Sequence, residues 1–199
     1  SFERAGDRWD ATAQVDWSGL DVAPWLPSPS VAARDAASAL PTALSGQAAL
    51  GGRWRGTSET IDALHADVTL SGGRWRAGPL RGHVNARLLA PWQPGGALPR
   101  MASDGRLDTS AAMLNWQGAL GDERDRLEWT LAAPALSALL PDAAGAASGS
   151  GVVTGAWSAL ATQFTLRLDE ASLGGWRAAA ARASGNLSLR ADAPLRVDL

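Results

Sequence analysis

Apolar and polar residues alternate one by one along much of the chain, the mark of half-buried β-strands, whose successive side chains leave on opposite faces. Over residues 9–17, Trp9, Ala11, Ala13, Val15 and Trp17 fall on one side, and Asp10, Thr12, Gln14 and Asp16 on the other. Leu44, Gly46, Ala48, Leu50, Gly52 and Trp54 continue the pattern, with large rings expected to lie over small neighbours. Leu64, Ala66, Val68 and Leu70 then oppose His65, Asp67, Thr69 and Ser71, and Leu80, Gly82, Val84, Ala86 and Leu88 oppose Arg81, His83, Asn85 and Arg87. Gly72 and Gly73, between these two runs, predict the tight turn of a hairpin. Further strands are predicted over 105–116, 127–131, 149–157, 164–168, 185–191 and 195–199. The alternation lapses at 20–26 and 134–141, where leucines and bracketing prolines predict a short helix each, and at 90–100, whose prolines and glycines predict a loop.

The two halves of the chain echo each other in order. Trp17 and the helix after it match Trp129 and the helix after it. Residues 45–54 match 148–157, the pair Gly72 and Gly73 matches Gly174 and Gly175, and 82–87 match 185–190. The pattern predicts two tandem β-rich repeats, 1–101 with an insertion near 28–41 and 102–199, stacked into one continuous sheet.

Composition narrows the function classes. The 199 residues include 22 Gly and 10 Trp but no Tyr and no Cys, and all 18 basic residues are Arg. Disulfides and thiolate metal sites are therefore excluded. A net charge of −2, scattered along the chain, gives no electrostatic footprint for nucleic acid or an anionic membrane surface. No apolar run reaches the ~18 to 20 residues of a membrane-spanning helix, and the abrupt ends suggest a segment of a larger exported protein.

Catalytic signals are absent or superficial. His65 and His83 share the polar side of one hairpin, yet nearby carboxylates lack metal-ligand spacing. Gly149, Ser150, Gly151 and Gly155 mimic a nucleotide-binding glycine loop, but run on as a strand where that motif needs a helix. No serine sits in a nucleophile elbow. The chain reads as a non-enzyme with no cofactor. The tryptophans stand out instead. They alternate with Gly and Ala on the apolar side, and so little helix is available to cover the sheet that its apolar surface is expected to form a trough for a ligand with long acyl chains. The residues expected to line it are Trp17, Leu50, Trp54, Val68, Leu70, Val84, Trp129, Val153, Trp157, Leu166 and Leu187.

The combination of a strand, a Leu-rich helix ending in Leu-Pro (Leu26 and Pro27; Leu140 and Pro141) and a Ser-Gly pair opening a glycine-bearing strand (Ser45 to Gly51; Ser148 to Gly155) resembles the repeats of the TamB translocation/assembly-module family, related to AsmA-like proteins. The run from Gly72 to Leu88 resembles that family's hairpin units. The resemblance implies a β-taco: a long, curved antiparallel sheet folded lengthwise, apolar inside, in the periplasm of a Gram-negative cell. It implies a parent protein anchored in the inner membrane and engaging an outer-membrane barrel partner through parts absent here. The implied function is carriage of phospholipid acyl chains between the membranes, or help in outer-membrane protein assembly, with neighbouring repeats pairing at both sheet edges. The competing architecture is a closed β-sandwich or barrel that binds a partner protein or a glycan.

Overall fold

A computed structural model of the chain describes residues 1–20, 42–56, 58–75, 78–138, 143–173, 175–190 and 196–198. Twelve strands follow in chain order: β1 (Phe2–Ala5), β2 (Arg8–Leu20), β3 (Thr42–Arg55), β4 (Thr60–Trp75), β5 (Gly78–Leu88), β6 (Met101–Thr109), β7 (Met113–Leu120), β8 (Arg126–Ala133), β9 (Ala143–Thr154), β10 (Ala159–Leu173), β11 (Trp176–Arg190) and β12 (Arg196–Asp198). Each pairs antiparallel with the next, so that one sheet runs β1 to β12 in sequence order. The two outer strands pair only on their inner sides, which leaves the sheet open and disfavours the closed barrel. Pairing crosses the expected repeat boundary without a break: Leu88 faces Met101 and Arg87 faces Ala102.

Three expectations are corrected, and a fourth lies outside the described residues. Where the helix is expected at 134–141, the described residues, which end at 138, form a three-residue turn of 3-10 helix, Leu136–Ala138. The six residues between Pro134 and Pro141 leave no room to recover the cost of nucleating a helix. The helix expected at 20–26 lies outside the described residues, apart from Leu20 at the end of β2. Gly72 and Gly73 do not turn the chain. They sit inside β4, where the register with β5 shifts between Leu70 and Arg74, and β5 starts only at Gly78. In the second half Gly175, at a φ of 89°, does lie between β10 and β11. Finally, residues 105–116 are two strands. Thr109 breaks them, its Oγ1 accepting from the backbone N–H of Ala111 and Ala112 while its own N–H donates to the Ala112 carbonyl.

The sheet packs against nothing of comparable size among the described residues. Its buried apolar residues there are Leu44, Leu80 and six alanines, and no large side chain is fully buried. A single layer keeps one face exposed unless something else covers it.

The turns at one end are bolted together. Arg100, in the loop between β5 and β6, holds Asp125, in the turn between β7 and β8, through Nε and Nη2 contacts of 2.6–2.9 Å. Asp125 is 3% exposed and also accepts from the Asp122 N–H at 3.0 Å. Trp157, in the turn before β10, donates its indole N–H to the Pro99 carbonyl at 2.8 Å. Hydrogen bonds from the Arg100 guanidinium hold the Asp125 carboxyl below its ordinary range. A lowered carboxylate value adds stability above the unfolded value and loses it as pH falls through the folded one. Asp125→Ala should therefore cost about 1–3 kcal/mol at neutral pH, and its deficit relative to the parent should narrow below about pH 4. Urea melts at neutral and acidic pH check this; a deficit independent of pH contradicts it.

Candidate functional site

Directly opposed residues of an antiparallel pair point to the same side of the sheet, so the register decides which side chains share a face. One row runs Val15, Ala48, Val68, Val84, Gly105, Trp116, Trp129, Gly151, Phe164 and Gly185 across β2 to β11. The row beside it runs Trp17, Gly46, Leu70, Gly82, Leu107, Leu114, Leu131, Gly149, Leu166 and Ala183. On the row's other flank lie Leu50, Leu127, Val153 and Leu187. Ten of the eleven expected lining residues thus stand on one face, with Trp54 at its edge opposite Trp9. Trp157 is the exception. Strand β9 ends at Thr154, Gly155 takes a φ of 108°, and Trp157 joins the turn cluster at Pro99.

The face is open. Val15, Leu50 and Leu64 are 46%, 38% and 37% exposed, and most of the other large apolar side chains on it are half-buried. At the β1 end, Phe2, Trp9 and Trp54 cluster with ring centroids 4.9 to 6.1 Å apart, Trp9 and Trp54 stacked at 7° and Phe2 tilted against both, while the Arg4 guanidinium lies 4.6 Å over Trp9. Beside them a depression of about 640 Å³ is lined by Leu50, Gly52, Trp54, Ile61, Leu64 and Pro94.

Elsewhere the indoles lie over glycines, as the pattern of rings and small residues predicts. Trp17 covers Gly46, Trp116 covers Gly105, and Trp129 covers Gly151. Two of the three have their N–H satisfied within the same face: Trp116 donates to Ser103 Oγ at 3.0 Å and Trp129 to Thr162 Oγ1 at 3.4 Å. Trp17 Nε1 is buried with no hydrogen-bond partner. Trp116 went unassigned in the sequence reading because residues 105–116 read as one strand; its alternation with Leu114, Gly118 and Leu120 marks it as a face residue once the turn is known.

The opposite face is polar. Asp67, Asn85, Asp104, Gln117 and Glu128 form one row, and His65, opposite Arg87, stands in the next. His83 opposes Thr69, so the histidines are not partners, and the His65 ring covers Gly51. A depression of about 1030 Å³ lies here. No group of three or more His, Asp or Glu is placed to hold a metal ion among the described residues, and no described helix is long and apolar enough to cross a membrane.

A family model described as TamB, N-terminal domain, matches residues 3–199. The chain belongs to the TamB family. Neither the curated proteins nor the solved structures compared with it give a significant match. The open β-sheet is compatible with membership of TamB, a translocation and assembly module, and the family suggests a membrane-anchored envelope protein.

The polar face carries its own prediction. Added zinc should leave the melting temperature of the chain unchanged, with or without His65→Ala, because a site needs three or four converging ligands and would stabilise through mass action. A zinc-dependent rise that His65→Ala abolishes would reverse this reading.

Proposed function

We propose that this chain is a non-enzymatic periplasmic segment of a TamB-like protein whose apolar face carries phospholipid acyl chains between inner and outer membranes, or supports outer-membrane protein assembly by the same means. The observation that supports it is the in-register apolar face, continuous from β2 to β11 and left open to its surroundings. A monomeric soluble domain rarely exposes so large a contiguous apolar surface, and one rimmed by polar residues marks a place where something apolar binds.

The chemistry needs only burial. Each acyl methylene laid on the face gains ~0.8 kcal/mol from leaving water, and headgroups stay hydrated beyond the edge. Because successive positions along a row are similarly apolar, a chain moving along it exchanges one contact for an equivalent one. A shallow, uniform surface of this kind permits sliding, where a tight pocket would hold its ligand. The parent protein would be anchored in the inner membrane and meet an outer-membrane barrel through parts outside this chain, with neighbouring repeats extending the sheet at its edges.

Native mass spectrometry of the chain purified from Gram-negative membranes tests this. The wild type should carry phospholipid, Val84→Glu should lose most of it, and Thr130→Glu, on the polar face, should retain it. Absence of lipid on the wild type, or equal loss from both variants, would refute acyl carriage by this face.

A further inference from the structure

Resting on the acyl-carrying face just proposed, we infer that Gly105 and Gly151 are positioning residues that hold Trp116 and Trp129 flat, so that strands β6 to β9 present one unbroken indole floor to an acyl chain. Trp116 and Trp129 oppose each other directly on β7 and β8. Their rings diverge. Trp116 lies outward over Gly105 on β6 and Trp129 outward over Gly151 on β9, each glycine standing opposite the indole that covers it. A Cβ added at Gly105 would meet Trp116 Cη2 at 2.7 Å, and one at Gly151 would meet Trp129 Cε2 and Cζ2 at 2.7 Å, both inside real contact distances. Neither glycine has the positive φ that by itself demands glycine, so crowding and not backbone conformation excludes a side chain. The neighbouring strands add to this, since the same Cβ atoms would also crowd the carbonyls of His83 and Gln163.

The polar atoms complete the device. Ser103 and Thr162, hydroxyl residues on the apolar face, accept from the two indole N–H groups, so that neither is left unpaired on that face. Lifting Trp116 off Gly105 would both raise a step in the floor and break its bond to Ser103, exposing an unpaired donor to the acyl chain. Leucines flank the indoles on one side (Leu107, Leu114, Leu131, Leu166), so the floor continues apolar beyond them.

The test uses fluorotryptophan-labelled chain, fluorine NMR and a spin-labelled stearate, with the Trp116 line assigned by Trp116→Phe and the Trp129 line by Trp129→Phe. In the wild type the stearate should broaden both lines. Gly105→Ala should shift the Trp116 line and weaken stearate binding roughly fivefold. Adding Trp116→Leu to Gly105→Ala should restore much of the affinity, which a simple loss of strand stability would not. Should Gly105→Ala fail to fold, Ser103→Ala removes the indole's acceptor without adding bulk, and should shift the same line and weaken binding. A shifted Trp116 line with unchanged affinity, in either variant, overturns the positioning role while leaving acyl carriage standing. Broadening of other tryptophan lines but neither of these overturns the floor as the seat. No broadening of any line removes the acyl-carrying reading itself.

Discussion

Everything in this structure depends on register. Side chains alternate with a period of two, so a slip of one residue between neighbouring strands would move a whole set of apolar groups to the wet side. Antiparallel neighbours keep step from β2 to β11, with shifts confined near strand ends: between Trp17 and Leu20, around Ser45, between Arg53 and Trp54, between Leu70 and Arg74, and between Asp169 and Ser172. The middle of the sheet is uninterrupted. Two chemically opposite faces follow, one carrying Val, Leu, Trp and Gly, the other Asp, Asn, Gln, Thr and Arg.

A one-layer sheet lacks the buried core that ordinarily holds a domain, and among the described residues only two large apolar side chains, Leu44 and Leu80, are buried. Cohesion comes from three other sources. The backbone ladders supply most of the contacts. Cross-strand neighbours such as Val68 and Val84 stand side by side within the face, and the Trp116 and Trp129 indoles pack on the glycines opposite them. The bolt of Arg100 on Asp125 and Trp157 on Pro99 joins three successive turns at one end. Surface ion pairs such as Arg53 with Asp10 and Arg167 with Asp169 are half exposed and add little. The glycines under the indoles serve a different end, trading β-propensity for a face of low relief.

Much of this was legible in the sequence, because the face pattern is local. Trp9 to Trp17, Leu44 to Trp54 and Leu80 to Leu88 alternate cleanly, and each lies in a strand whose register puts its apolar positions on one shared face. Turns were less legible. Gly72 and Gly73 suit a tight turn, yet a long strand absorbs them as a register shift, β4 running on to Trp75 and β5 beginning at Gly78. The turn at 110–112 carries no proline or glycine, but it does leave a trace: the apolar positions switch from odd numbers at Gly105 and Leu107 to even ones at Leu114 and Trp116, which an unbroken strand forbids. Trp157 kept the right parity for the face but fell beyond the end of β9, and pairing with Pro99, 58 residues away, left no local signal. The TamB resemblance rested on small and apolar spacing alone, and the family match over residues 3–199 agrees with it.

The central claim is that the indoles lie on a face open to its surroundings and suited to acyl chains. Acrylamide quenching of tryptophan fluorescence measures this most directly. The account predicts substantial quenching of the free chain and marked protection when detergent micelles or phospholipid are added, since both would cover the apolar face. Indoles that resist acrylamide without any amphiphile, and do not respond to adding one, would show a dry closed core and contradict it.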